Sequence, residues 1–227
     1  NQAIRQTSAP FVLLLNSDAR LTPKAFSALF DLINSNSRCA AAGCRLTNAQ
    51  GEEMVSARNF LTPLNQVFEL LSITKLFGSR YFSRTRRLRF NASLTDCSVD
   101  WIEAACLIVR REALDDVGLF DEQFFMYSED EDLCRRLKDN GWSICFTRRG
   151  TAIHHGGRSS ERNRLHMLYW FYSSQMLFLF KHKGRAAVSL YRVAMKAALT
   201  VKRFVRKDKQ ELTERLVAFR RACRNRK

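Results

Sequence analysis

The chain has 227 residues, 46% of them hydrophobic, with 3 prolines and 9 glycines, which suits one sizeable buried core and excludes a low-complexity or fibrous chain. Its net charge of +16 is unevenly placed: residues 181–227 carry 16 Lys or Arg against 3 acids, and the first 180 residues carry 22 against 19. A uniformly basic nucleic-acid binder is thereby excluded; no defined nucleic-acid motif is present, and specific nucleic-acid recognition is not expected.

Seven cysteines, odd in number and without a C-x-x-C pair, point to free thiols in a reducing compartment rather than to a disulfide framework or zinc site. With no basic-then-apolar segment at the start of the sequence, a cytoplasmic location is the expectation. Along the chain, Pro10 to Asn16 is a short continuous apolar run, predicted as a buried strand in a parallel sheet. It ends in Asn16-Ser17-Asp18. Thr22 followed by Pro23 then opens a helix with Phe26, Leu29, Phe30 and Ile33 among its apolar positions. Cys39 to Leu46 is expected as another strand, closed by a turn at Asn48-Ala49-Gln50-Gly51. Residues 58–96 show no clear period, and Arg84, Arg86, Arg87 and Arg89 mark a solvated stretch. Asp100 to Val109 reads as one buried strand, Arg111 to Val117 as a helix stopped at Gly118, and Trp142 to Phe146 as a further strand. Ile153 to Gly157 reads as a loop.

Four consecutive carboxylates, Glu129 to Asp132, follow an aromatic cluster at Phe124 to Tyr127. Ser128 and Glu131 have capping-box spacing, so the acids should form the first turn of a helix that turns Leu133 and Leu137 inward and stops at Gly141. The helix macrodipole favours ionised carboxylates there, and an ionised carboxylate beside an aromatic cleft can act as a general base. Asp132 is expected to cap the helix or pair with Arg135 or Arg136. By residue type alone, the run is also an ordinary acidic helix start. Further on, Leu165 to Phe180 is apolar but too short for a membrane span and is expected as a buried or interfacial helix. Leu190 to Val205 repeats apolar residues at helical spacing among Arg192, Lys196, Lys202 and Arg203. Such a basic amphipathic helix suits an anionic membrane surface, or else packs on the domain with its basic face in water.

Three separated segments together carry a resemblance: Leu13 to Ala19, Trp101 to Arg111, and Val117 to Trp142, followed in order by Ile153 to Ser160 and Lys181 to Gly184. The chain resembles the inverting family 2 glycosyltransferases, in their rhamnosyltransferase-like branch, over roughly residues 1–184. The resemblance implies an α/β, GT-A-like (Rossmann-like) mixed sheet over residues 1–163, with a helical, basic C-terminal extension over residues 164–227. It implies a nucleotide-sugar donor (a dTDP- or UDP-sugar), a cell-surface glycan or lipid-linked acceptor, and a divalent cation, Mg²⁺ or Mn²⁺. Asn16-x-Asp18 stands where the family's Asp-x-Asp motif belongs, with Asn in place of the first Asp. Asp18 is then the metal contact and Asn16 a donor-binding candidate. His154 sits where relatives place a histidine near the metal, and its neighbour His155 is the alternative. The family's Glu-Asp pair falls on Glu129 and Asp130, with Asp130 the catalytic base and Glu129 orienting it or touching the acceptor. Trp101 offers a flat face for a sugar or acceptor, or else is a core tryptophan; Glu103 and Asp121 are further candidates for the acceptor cleft.

Hard carboxylate ligands suit a cation that neutralises a departing diphosphate, and one displacement with one base inverts the anomeric centre. The segment from Asn1 to Arg5 matches the helix that precedes the metal-motif strand in the family, so the nucleotide-binding part is expected to be N-terminally truncated. A fragmentary product, a mis-assigned start and a separate chain supplying the missing half are the three explanations. The isolated chain is accordingly expected to be a weak or inactive transferase. Sugar addition to lipid-linked acceptors would place it at the inner face of the cytoplasmic membrane. The readings set beside this one are a non-catalytic binding or scaffold module, its basic tail on anionic membrane or nucleic acid, and a metal-dependent hydrolase built on Asp18, His154 and Asp130.

Overall fold

The computed structural model describes residues 1–71, 95–155, 163–205 and 209–224. The arginine-rich stretch at Arg84 to Arg89 and the glycines after His155 lie outside them. The chain divides into two compact units: residues 1–60, 87–121 and 130–156 form the first, and residues 61–86, 122–129 and 157–227 the second.

The first unit is a mixed sheet with helices on both faces. Its main path runs β1 (Phe11–Leu15), β8 (Cys106–Arg110), β3 (Cys39–Thr47), β9 (Ser143–His154), β2 (Ala19–Leu21); β4 (Glu53–Met54) adds to β3 and β6 (Asp96–Val99) to β9. Among the described residues only β3 and β9 run parallel; the other pairs are antiparallel. The run at Pro10 to Asn16 therefore differs from the parallel strand expected. It pairs Phe11 with Arg110 through Leu15 with Cys106, antiparallel, at the end of the sheet path. Leu13 and Leu15 stay 37% and 43% exposed there. A continuous apolar run fixes burial tendency but not strand direction, and an end strand has a neighbour on one side only.

On one face, α2 (Pro23–Ser35) places Ala25, Leu29, Leu32 and Ile33 against Ala42, Cys44, Leu46, Cys106 and Ile108. Thr22 caps it as expected, its hydroxyl accepting from the Ala25 N–H at 3.2 Å. On the other face, α4 (Arg111–Val117) and α5 (Glu129–Asp139) contribute Ala113, Leu114, Leu133, Cys134 and Leu137 to a core with Trp101, Ile144 and Phe146. Gly118 stops α4 at φ 82°, donating to Leu114 O at 2.8 Å. The short helix α1 (Gln2–Arg5) buries Ile4 in the same core, and β5 (Ala57–Arg58) pairs with β7 (Trp101–Ile102) in a separate ribbon. All seven cysteines are free.

The second unit contains α3 (Pro63–Leu71), α6 (Arg164–Val205, broken at Gly184 where φ is 77°) and α7 (Lys209–Arg224). Its core gathers Tyr172, Met176, Phe178, Tyr191, Leu212, Leu216 and Phe219. Phe219 meets the rings of Tyr172 and Tyr191 edge-on at 5.2 and 6.0 Å. Gln175 donates to Gln66 at 3.2 Å and accepts from the buried Tyr191 hydroxyl, so these three buried side chains are linked by hydrogen bonds. Residues 172–179 are buried throughout, consistent with the non-spanning helix expected for Leu165 to Phe180. No helix among the described residues is long and apolar enough to cross a membrane.

Candidate active site

The sheet brings Asn16, Asp18 and His154 together. β9 continues well past the Phe146 at which the sequence pattern stops, so Ile153 and His154 belong to a strand rather than a loop, and His155 follows its end. Pairing with β2 sets Ala19 opposite His154, and the His155 N–H donates to Asp18 O at 2.9 Å. The consequence is that His154 Nε2 lies 3.1 Å from Asp18 Oδ1 and 3.5 Å from Asn16 Nδ2. Side-chain exposure is 45% for Asp18 and 14% for His154, so the carboxylate is open on one side while the ring is held. His154 Nδ1 is buried with no hydrogen-bond partner. Among the described residues, no group of three or more His, Cys, Asp or Glu gathers around one point. The open Asp18 carboxylate and the adjacent imidazole are side chains that could ligate a divalent cation together with water and substrate phosphates.

The predicted strand from Asp100 to Val109 is instead two strands, β7 and β8, separated by Glu103-Ala104-Ala105. This break was not legible in the apolar run, and it joins the two halves of the site. Ala105 O accepts from the Asn16 N–H at 3.1 Å, while the Ala104 N–H donates to Asp130 Oδ2 at 3.1 Å. Asp130 Oδ1 accepts from the Glu131 N–H at 2.8 Å, so both carboxylate oxygens are oriented by backbone. The turn is itself anchored: Glu103 N–H donates to Ser56 O at 2.9 Å, and its carboxylate takes the Arg58 guanidinium at 2.6 Å. Glu103 is thus tied to Arg58 by an ion pair that residue types alone did not reveal.

The acidic run divides by environment. Glu131 and Asp132 are fully buried. Asp132 pairs with Arg136 at 2.8 Å, and Arg136 also donates to the carbonyls of Val117, Gly118 and Leu119. Glu129 opens α5, yet burial raises its carboxyl above the usual range, and its Oε2 is buried without a hydrogen-bond partner. The macrodipole argument for an ionised first turn is outweighed by desolvation at this residue. The Tyr127 phenol is raised as well, first by burial and then by the Glu129 charge. Ser128 is not an extended N-cap: it sits at φ 62°, and Tyr127 at φ 68°. Two successive non-glycine residues in the left-handed region hold strain of about 1–3 kcal/mol each, a feature that concentrates at functional segments. Trp101 is 5% exposed, with Nε1 donating to Asn59 O at 3.1 Å, so its ring is part of the core rather than an open platform.

Residues 1–173 match the family model described as Glycosyltransferase like family 2. The chain belongs to this family. Within family 2, it is 29% identical over 175 residues to the N-acetylglucosaminyl-diphospho-decaprenol L-rhamnosyltransferase of Mycobacterium tuberculosis, covering 77% of this chain and 56% of that protein. The chain thus spans about half the length of that relative. It is 24% identical over 170 residues to the O-antigen biosynthesis protein RfbC of Myxococcus xanthus, covering 73% of this chain and 12% of that one. A shorter match, 31% over 85 residues, covers 37% of this chain and 32% of the rhamnosyltransferase WbbL of Escherichia coli K12. Its family 2 assignment agrees with a GT-A fold. A mannosyltransferase from Pyrobaculum calidifontis, solved with GDP-Man and Mn²⁺, superposes at a TM-score of 0.51 and 11% identity over 98% of this chain and 64% of that one. GalNAc-T7, solved with UDP, GalNAc and Mn²⁺, does so at 0.53 and 10% over 99% and 41%.

Proposed function

We propose that this chain carries the reaction centre of an inverting sugar transferase that moves rhamnose from a dTDP- or UDP-sugar to a lipid-linked or cell-surface glycan acceptor. The supporting observation is the turn Glu103 to Ala105, whose Ala105 carbonyl accepts from the Asn16 N–H of the Asn16–Asp18–His154 cluster and whose Ala104 N–H donates to the Asp130 carboxylate. Residues 1–163 supply this chemistry, and residues 164–227 form the helical, basic extension that brings the chain to an anionic membrane surface on the cytoplasmic side.

Asp18 and His154 would hold the divalent cation, Mg²⁺ or Mn²⁺. When bound, it neutralises the charge that grows on the departing diphosphate. Asn16, whose side-chain amide lies beside His154, faces the donor. Asp130 takes the proton of the acceptor hydroxyl as that oxygen attacks the anomeric carbon. The bond to the diphosphate oxygen breaks with its electron pair leaving on that oxygen, and configuration inverts. Fixing both Asp130 oxygens by backbone donors keeps the base in one orientation, which is where a positioned general base gains its rate. Glu129, beside it in the chain, contacts the acceptor.

The test is product analysis under single-turnover conditions, with the chain in excess over dTDP-rhamnose, Mn²⁺ and a polyprenyl-diphosphate-linked acceptor. A glycosylated acceptor with inverted anomeric configuration is expected, formed at the low rate of a weak transferase. Free sugar and nucleoside diphosphate without acceptor product would instead identify a hydrolase, and retained configuration would remove the single-displacement assignment.

A further inference from the structure

Beyond the break at Gly184, α6 has two apolar faces, and only one of them is packed. Tyr191, Met195, Ala198 and Leu199 are buried, with Tyr191 against Phe219 of α7. The second face consists of Leu190, Val193, Ala197, Val201 and Phe204, all exposed; the four large ones are 60%, 70%, 54% and 83% exposed. Their spacing of three, four, four and three residues keeps them within a band of about 80° along roughly four helical turns. Single exposed apolar residues need no explanation, whereas a continuous stripe marks an interaction surface.

Charge selects the partner. Lys196 and Arg203, seven residues apart and both exposed, lie on one flank of the stripe, about 100–120° round the helix from its centre. Lys183 and Arg185 are exposed where this part of the helix begins. No Asp or Glu occurs between Glu161 and Asp208, so nothing on the helix itself offsets that charge. We propose that this face of α6 docks in the plane of an anionic lipid surface, with Leu190, Val193, Val201 and Phe204 entering the acyl boundary and Lys196 and Arg203 reaching the headgroups. Long basic side chains beside an apolar stripe are suited to that geometry. A second copy of the chain is a poorer occupant, because two such faces would bring their basic flanks together.

This deepens the membrane-side placement stated above, but its readout is vesicle binding without donor or acceptor, so it can fail while sugar transfer to a soluble acceptor succeeds, and the reverse. The full chain is sedimented with vesicles of phosphatidylcholine alone and of phosphatidylcholine mixed with phosphatidylglycerol. Binding at least about tenfold tighter to the mixed vesicles is expected. Val193→Ser with Phe204→Ser should weaken it at least about tenfold, and Lys196→Gln with Arg203→Gln should erase the preference for the anionic lipid. All four side chains are exposed, so circular dichroism and thermal unfolding should match the wild type. Equal binding to both vesicle types would overturn the proposal. So would binding indifferent to the Ser substitutions, or a stripe-dependent dimer in sedimentation equilibrium without vesicle binding.

Discussion

Glu129 and Asp130 are neighbours in the chain with opposite environments, and the difference divides their roles. Both Asp130 oxygens accept backbone N–H groups, while Glu129 Oε2 is buried without a partner and its carboxyl is pushed upward by desolvation. A raised folded-state pKa means that the folded chain holds the Glu129 proton more tightly than the unfolded chain does. Its stability contribution is present below the usual glutamate range and is lost as pH rises through the raised value. Glu129→Gln stays neutral, so its thermal midpoint should exceed that of the wild type by a margin that widens as pH rises from about 4 to about 8. A margin independent of pH would place the effect elsewhere. At the cluster, Asp18→Ala and His154→Ala should each weaken Mn²⁺-dependent binding of a nucleoside diphosphate by about tenfold or more, measured by calorimetry. Metal-free binding should change little.

Among the elements, α5 is held at its acidic start by one buried pair. Asp132 is fully buried and Arg136 also closes on three carbonyls of residues 117–119, so removing the guanidinium takes a cationic partner from a buried carboxylate and a donor from three carbonyls. Arg136→Ala should cost about 3–5 kcal/mol in urea unfolding. The opposite face has a steric counterpart. A Cβ at Gly150 of β9 would stand 2.5 Å from the Ala25 Cα of α2, a backbone atom that cannot swing aside. Gly150→Ala should therefore destabilise by about 1–3 kcal/mol, and α2 should lose amide-exchange protection before the strands do. Thr22-Pro23 and Gly118 were legible as a helix start and stop because their chemistry is local. The end of β9 was not, because polar residues from Thr147 to Gly150 interrupt its apolar pattern, and the sheet absorbs them as an irregularity between the Cys44–Thr147 and Arg45–Thr151 pairs.

For the molecule, the order of motifs from Leu13 to Gly184 was enough to place the family, since each motif is weak alone and their sequence order is not. Asp18, His154 and Asp130 were singled out as candidates through that order. Their joint geometry was not legible, because it depends on the break at Glu103 to Ala105, and an apolar run does not announce where it stops pairing. Trp101 illustrates the same limit: its residue type suits a sugar platform or a core equally, and only its burial, with Nε1 bound to Asn59 O, decides the matter. The basic amphipathic pattern of residues 190–205 likewise left both faces open. The structure buries one against α7 and leaves the other in water beside Lys196 and Arg203.

The central claim is that Asp130 is the base of a single inverting displacement. It is tested most directly by the single-turnover transfer rate of Asp130→Asn, measured with matched circular dichroism. Asn keeps an oxygen for one of the Ala104 and Glu131 amides, turns its NH2 to the other and cannot take the proton, so the rate should fall by about 10²–10⁴ while the fold and nucleoside-diphosphate binding persist. A transfer rate within a few-fold of the wild type would contradict the assignment.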